Sequence, residues 1–292
     1  MLAAKVFSTV FPVFFLIGLG YLFGRFRRID LATLTDVVVY VASPCLAFSS
    51  LSQSVLPVKT FGVIALAVLC VTAGMWVLAA VFLKVFREDL RGLYLPIMFQ
   101  NAGNMSLPLC LFAFGEEGLA LAVIVFATMV LLQYTLGLGI VSRGAENASE
   151  AFRMPMTYAA VAGVLVSFMG WTVPVSIQRP LEVMGTGAIG FMLFSLGYRL
   201  ISVRLGAFRI ATAASLLRIG GGFGLAWLVT ALLGLEGTAR GVLILGSSMP
   251  SAVINFVLAQ KFNRNPDLVA SVVWVSTLLS LLTTPAVLAF LL

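Results

Sequence analysis

The most informative part of this sequence is an apolar segment interrupted by polar residues, and it reads Leu93-Tyr94-Leu95-Pro96-Ile97-Met98-Phe99-Gln100-Asn101-Ala102-Gly103-Asn104-Met105-Ser106-Leu107-Pro108. Amide and hydroxyl side chains are costly in hydrocarbon unless they are hydrogen-bonded. Pro108 lacks a backbone donor, and in a regular helix its ring clashes with the carbonyl group of Asn104. Irregular backbone at membrane depth persists only inside protein or along a water-filled cavity. The segment therefore predicts a membrane helix that breaks, with Pro108 at the break.

A second apolar segment carries a similar interruption, which reads Gly246-Ser247-Ser248-Met249-Pro250-Ser251-Ala252-Val253-Ile254-Asn255. An offset of 149 residues, from Leu119 to Leu268, places Asn101 on Pro250. A single such segment would favour a proline kink that neighbouring helices repair. Two of them in corresponding positions of two halves are typical of transporters, whose substrate sites lie at discontinuous helices. We therefore predict a second helix break at Pro250 and a binding site between the two breaks.

The composition excludes a water-soluble globule. The chain has 292 residues, of which 61% are hydrophobic and only 10% are charged, whereas soluble domains carry about 25% charged residues. Histidine is absent, and Cys45, Cys70 and Cys110 lie far apart in apolar stretches. The sequence has no metal-ligand pattern, and no pair of acids is apparent within its apolar runs. We therefore expect a membrane protein that is not an enzyme and holds no metal.

Ten apolar runs are long enough to span the hydrocarbon core, which takes about 20 residues. They cover residues 6–24, 31–51, 61–83, 93–114, 118–141, 155–172, 181–199, 207–233, 240–260 and 267–291. The sequence thus predicts an all-α integral membrane protein with ten transmembrane helices. Its longest polar stretch divides these helices into five and five. We predict a first repeat at residues 1–141, a short cytoplasmic linker at 142–154 and a second, inverted repeat at 155–292.

The basic residues predict the orientation. Thirteen Lys and Arg residues fall in the loops after odd-numbered spans and four on the other side. Cytoplasmic loops are the ones enriched in Lys and Arg. This distribution predicts a multi-pass protein of the cell (inner) membrane with both termini extracytoplasmic. It also explains the net charge of +7 through the lipid bilayer, without nucleic acid as a partner.

The two predicted breaks supply the candidate binding residues. A broken helix offers N–H groups where one half begins, which attract anions, and carbonyl groups where the other half ends, which attract cations. Asn101 and Asn104 would share a helix face, and their amides can donate to a carboxylate. Met105 and Ile254 would form apolar walls. The predicted substrate-binding set is Asn101, Gly103, Asn104, Met105, Pro250, Ser251 and Ile254.

Three further polar residues within the predicted spans are candidates for ion coupling or support of the site. Asp36 lies near a cytoplasmic edge, so it is either solvated or coupled to an ion. Gln133 either joins two helices or forms a wall of the site. Arg218 either extends to the interface, pairs with an acid or provides positive potential for an anionic substrate. The Gly220-Gly221-Gly222 run that follows it predicts close helix packing or a hinge.

Several motifs together resemble the auxin efflux carrier family, and they span nearly the whole chain in order. They are Phe11-Pro12-Val13, Gly18-x-Gly20-Tyr21, Tyr40-Val41-Ala42-Ser43-Pro44-Cys45-Leu46, Asn101-Ala102-Gly103-Asn104, Leu107-Pro108-Leu109, Met249-Pro250-Ser251-Ala252 and Ser276-Thr277-Leu278-Leu279-Ser280. The resemblance implies two inverted five-helix repeats, a scaffold part and a transport part. The implied architecture is similar to that of sodium/proton antiporters and bile-acid symporters.

The resemblance also implies a substrate class and residue roles. It implies transport of small organic anions, either auxin-like monocarboxylates or dicarboxylates of the malonate and malate type, and a possible homodimer. It places the crossing of the fourth and ninth spans at Pro108 and Pro250 and substrate contact at Asn101 and Asn104. We therefore interpret the chain as a secondary transporter of small organic anions that works by an elevator-type alternating-access cycle.

Coupling and two alternatives stay open. Efflux of an anion down an inside-negative potential needs no coupling ion, whereas accumulative uptake would need Na⁺ or H⁺. No other cofactor is expected. The same scaffold could instead act as a membrane-embedded ligand sensor or as a passive anion channel.

Overall fold

The computed structural model describes residues 2–54, 58–86, 91–141, 155–201 and 208–292, and in these ranges the chain is almost entirely helical. The helices are α1 Leu2–Phe26, α2 Leu31–Ser52, α3 Val58–Phe86, α4 Tyr94–Met98, α5 Ala102–Gly137, α6 Pro155–Phe168, α7 Val175–Arg199, α8 Phe208–Leu232, α9 Gly237–Ser247, α10 Ile254–Lys261 and α11 Pro266–Leu291. Short helical turns at Arg91–Leu93 and Leu138–Val141 precede α4 and follow α5. The predicted all-α class is confirmed.

Seven of the helices within the described ranges are long and apolar enough to cross a membrane: α1, α2, α3, α5, α7, α8 and α11. The shorter α6 is also apolar. The 36-residue α5 consists of two helical halves that meet at Gly115, whose φ of 69° and ψ of −158° lie outside the helical region. The second half folds back along the first, since a Cβ atom on Gly103 would lie 2.9 Å from the ring of Phe126. The chain is therefore a multi-pass membrane protein. Ten crossings, inverted repeats and their limits stay predictions, and the predicted linker at 142–154 lies outside the described residues.

The interrupted segments predicted from sequence are both broken, but the first breaks at a different residue. Regular helix stops after Met98, and Phe99–Asn101 form the break. The turns that follow at Ala102–Ser106 are π-helical, and regular α-helix resumes at Leu107. Pro108 lies in the first turn of the α-helix that resumes at Leu107, so the break comes before this residue rather than at it. The wider bore of the π-helical turns just before it relieves the clash of the proline ring. In the second segment, Pro250 does lie within the break between α9 and α10.

The helices pack in two groups. One group consists of α1, α2, α6 and α7, and the other of α3, α4, α5, α8, α9, α10 and α11. In the first group α1 and α7 touch through glycines: a Cβ atom on Gly20 would lie 2.0 Å from the carbonyl oxygen of Phe194, and one on Gly197 would lie 1.8 Å from that of Ile17. Small residues at such contacts let helix backbones approach closely. The helices around the two breaks all belong to the second group, which we call the crossover group.

Candidate functional site

The two breaks meet as a short antiparallel pair of extended segments. The backbone N–H of Asn101 donates to the carbonyl of Pro250 at 2.7 Å, and that of Ala252 donates to Phe99 at 3.2 Å. Gln100 and Ser251 form an antiparallel bridge between these bonds. Buried backbone groups that leave a helix must find such partners. The residues that the sequence offset superposes, Asn101 and Pro250, are therefore in direct contact.

A buried amide network holds the pair together. Asn255 donates through Nδ2 to the carbonyl oxygen of Phe99 at 2.8 Å and to Oγ of Ser251 at 3.0 Å. Its Oδ1 accepts from Nε2 of Gln133 at 2.6 Å. Gln133 thus joins α5 to α10, and it also lines the cavity described below. Asn255 was not among the predicted site residues, although an amide five positions after Pro250 was a visible signal.

Arg218 neutralises the carbonyl ends of both broken helices. Its Nη1 donates to the carbonyls of Ile97 and Met98, and its Nη2 to that of Ser247, each at 2.8 Å. These carbonyls lie where α4 and α9 end, which is the negative end of a helix dipole. The side chain is 0% exposed, so it does not extend to the interface, and its bonds to the described residues include no carboxylate.

Gly222 makes this arrangement possible. A Cβ atom at this position would lie 2.0 Å from the carbonyl oxygen of Ser247 and 2.2 Å from Nη2 of Arg218. Within the Gly220-Gly221-Gly222 run, Gly222 is thus a position of close helix packing. A Cβ atom on Gly220, in contrast, would have open space around it, with no neighbouring side chain or helix within 4 Å.

A cavity of about 170 Å³ lies between the crossover and the helices α2, α6 and α7. The first residues of α5 and of α10 line it, and so do Phe126, Met129 and other apolar side chains. Of the predicted site residues the structure brings together Asn101, Gly103, Asn104, Gln133 and Ile254 around this cavity.

The remaining predicted residues do not line this cavity. Pro250 and Ser251 lie behind it in the paired segment. Met105 is fully buried in the core. Arg218 faces the carbonyl ends, Pro108 continues α5, and Asp36 is exposed on α2.

Several polar atoms at the cavity have no hydrogen-bond partner within the described ranges. Asn101 is 3% exposed, and its Oδ1 accepts from the backbone N–H of Asn104 at 3.1 Å, as the N-cap of α5. Its Nδ2 has no partner, and neither have Oε1 of Gln100 and Oγ of Ser195. A buried donor without a partner costs about 1–3 kcal/mol. A bound ligand can recover this cost for Asn101.

The cavity is electropositive. The helices α5 and α10 both begin at its wall, and a helix start carries roughly half a positive charge. Arg199, the last residue of α7, also lines it and donates through Nη2 to Oγ1 of Thr35 at 2.7 Å. No acidic residue is among the described residues of the wall. Sequence reasoning missed Arg199 because it counted as one of many loop arginines.

A second, larger cavity of about 840 Å³ lies along the opposite ends of α2 and α7. Its wall runs from Leu46 on α2 to Ser54 just beyond the end of this helix, whereas on α2 the first cavity ends at Ser43. Unlike the first cavity it is acidic, because Glu116, Glu117 and Glu182 line it.

Comparisons with known proteins identify the family of the chain. The family model described as membrane transport protein matches residues 5–288. The chain is 28% identical to an uncharacterized transporter of Methanocaldococcus jannaschii over 94% of this chain and 95% of the relative. It is 30% identical to another from Methanothermobacter thermautotrophicus, over 95% and 96% of the two chains. It is also 29% identical to auxin efflux carrier component 8 of Arabidopsis thaliana, over 45% of this chain and 38% of that protein. The predicted resemblance is thus confirmed, and the chain belongs to the membrane transport protein family, to which the auxin efflux carriers are related.

Proposed function

We propose that this protein is a secondary transporter of small organic anions, and that the substrate carboxylate binds where α5 and α10 begin. The observation that carries the proposal is the buried Nδ2 of Asn101, which has no partner among the described residues and lies at the wall of an electropositive cavity. A carboxylate accepts hydrogen bonds from such amides and from N–H groups at helix starts. Asn104, at the same wall, would supply a second amide.

The cavity supports a small substrate. Its volume of about 170 Å³ is below the roughly 300–1,000 Å³ of pockets for drug-sized ligands. Apart from the polar residues named above, its wall is mainly apolar and includes Val38, Phe126, Met129 and Ile254. Short dicarboxylates and single-ring or auxin-like monocarboxylates are therefore the candidates. The name of the plant relatives makes indole-3-acetate one acid to test.

The position of the cavity supports an elevator-type cycle. It lies at the boundary between the crossover group and the group of α1, α2, α6 and α7, so that sliding one group along the other would carry the site across. In this proposal the chain crosses the inner membrane ten times in two inverted repeats, with both termini outside. Efflux would be driven by the membrane potential alone, whereas accumulative uptake would be coupled to Na⁺ or H⁺, and a homodimer would hold the scaffold helices fixed.

The test is current from proteoliposomes on a solid-supported membrane, with pulses of malonate, malate and indole-3-acetate in the presence and absence of Na⁺. We expect a saturable current for at least one acid, and a large loss of that current in Asn101→Ala. The matched control is Gln260→Ala, which removes an exposed amide outside the cavity wall. Normal transport by Asn101→Ala would overturn the site. Flux that does not saturate would indicate the channel, and binding without flux would indicate the sensor.

A further inference from the structure

We propose that Arg199 is a second anion-binding residue of this cavity and that it makes the site selective for dicarboxylates. This inference rests on the proposed function and deepens it, because it adds one residue and narrows the substrate class.

The side chains of one face of α7 form part of the cavity wall. Met192, Ser195 and Arg199 all line it, and their spacing of three and four residues places them on the same side of a helix. Oγ of Ser195, one turn before Arg199, is buried and has no partner among the described residues. The bond from Arg199 to Thr35 on α2 fixes where the guanidinium lies. A charge and an unpartnered hydroxyl thus share one wall.

The cavity therefore has two electropositive poles on opposite helix groups. The first consists of the starts of α5 and α10 with Asn101 and Asn104, and it belongs to the crossover group. The second consists of Arg199 and Ser195 on α7, in the group of α1, α2, α6 and α7. A monocarboxylate engages one pole, whereas a short dicarboxylate engages both.

The charges in the wall agree with a dianion. Arg199 is the one residue with a formal charge among the described residues of the wall. Each helix start contributes roughly half a positive charge. Two helix starts and one guanidinium together offer about two positive charges, which balance the two carboxylates. Arginine also matches carboxylate geometry better than other cations, because its planar N–H groups pair with both oxygens.

The experiment compares two acids of three carbons, malonate and propionate, in proteoliposomes that contain the full chain. For the wild-type protein we expect a half-saturating concentration at least about tenfold lower for malonate than for propionate. In Arg199→Gln we expect the value for malonate to rise about 30-fold, since a charge-assisted bond is lost, and the value for propionate to change less than about threefold. Arg209→Gln is the matched control, because this exposed arginine at the start of α8 is not part of the wall. It should change neither value.

Arg199→Lys retains the charge without the planar fork, so we expect it to keep part of the malonate preference. An equal loss for both acids in Arg199→Gln, or an unchanged malonate preference, would overturn the role of Arg199. If Arg199→Gln yields no folded protein, the proposal is tested by the malonate and propionate values of the wild type and of Arg199→Lys. Equal values for the two acids in the wild type, or an Arg199→Lys variant indistinguishable from it, then count against the proposal.

Failure of the transport function itself would look different. In that case no acid would produce a saturable current in the wild type. Malonate would still raise the thermal midpoint of the purified wild-type protein more than propionate does, and Arg199→Gln would lack this difference. Such a result would sustain the dicarboxylate site and overturn electrogenic transport, and it would favour electroneutral exchange or the sensor. If malonate stabilised Arg199→Gln as much as the wild type, the site proposal would fall independently of transport.

Discussion

The two faces of the crossover differ in the group that neutralises the partial charge of their helix ends. On one face α4 and α9 end, and their carbonyl groups at Ile97, Met98 and Ser247 bind the guanidinium of Arg218. On the other face α5 and α10 begin, and the Nδ2 group of Asn101 there has no partner among the described residues. The chain thus supplies its own cation to the negative face and leaves the positive face to a ligand. This difference supports the proposed site for anions over a site for cations.

The strongest way to break this comparison is to remove the built-in cation. Arg218→Ala leaves three buried carbonyl groups without their charged partner, and we expect the free energy of unfolding to fall by about 3–5 kcal/mol. Intrinsic-fluorescence thermal unfolding in detergent measures this effect. Arg209→Ala, an exposed arginine of the same helix, should unfold close to the wild type. An Arg218→Ala variant as stable as this control would show that the carbonyl face needs no cation.

A second change reverses the charge preference of the positive face. Asn101→Asp keeps an oxygen that can accept from the backbone N–H of Asn104, and the start of α5 stabilises the new carboxylate. It replaces the unpartnered amide by a negatively charged oxygen. We expect folding close to wild type but a loss of organic-anion current of about 30- to 100-fold, since a donor is lost and repulsion is added. Unchanged half-saturating concentrations would rule out carboxylate contact at this residue.

The smallest effect concerns the packing that lets Arg218 reach α9. Gly222→Ala pushes a methyl group against the carbonyl of Ser247 and against Nη2 of Arg218. We expect a loss of about 1–3 kcal/mol in the free energy of unfolding, the usual cost of overpacking. Gly220→Ala has open space and should be neutral or slightly stabilising, because alanine favours helix. The sequence run alone does not distinguish these two glycines, so equal thermal midpoints would contradict the assigned contact.

The fold class and the family could be predicted from the sequence, because both depend on properties that a chain shows along its length. Apolar runs of membrane length predicted the all-helical class, and polar residues inside two of them predicted the breaks. The first break lies before the predicted residue. Pro108 marks a local cost, but the chain relieves that cost through the π-helical turns that precede it. The actual break lies where Phe99 can pair with Ala252, a partner that is 153 positions away along the chain.

The charged residues of the site were harder to assign because their partners also lie far away along the chain. Arg218 bonds to Ile97 across 121 positions, and Arg199 to Thr35 across 164. Neither contact leaves a periodic or spacing signal. Sequence reasoning singled out Arg218 because it is charged inside an apolar run, and left three roles open. Arg199 stands at the end of such a run, where arginines commonly mark the cytoplasmic side, and nothing distinguished it from those.

The two cavities are separated by little protein. On α2 the acidic cavity begins at Leu46 and the other ends at Ser43; on α7 the corresponding residues are Ile189 and Met192. Three residues of helix amount to about 4.5 Å. If water fills both cavities, the transmembrane electric field falls mostly across this septum rather than evenly over the roughly 30 Å hydrocarbon core. A charge that moves past one helical turn would then experience most of the voltage, so a short displacement would suffice for strongly voltage-dependent transport.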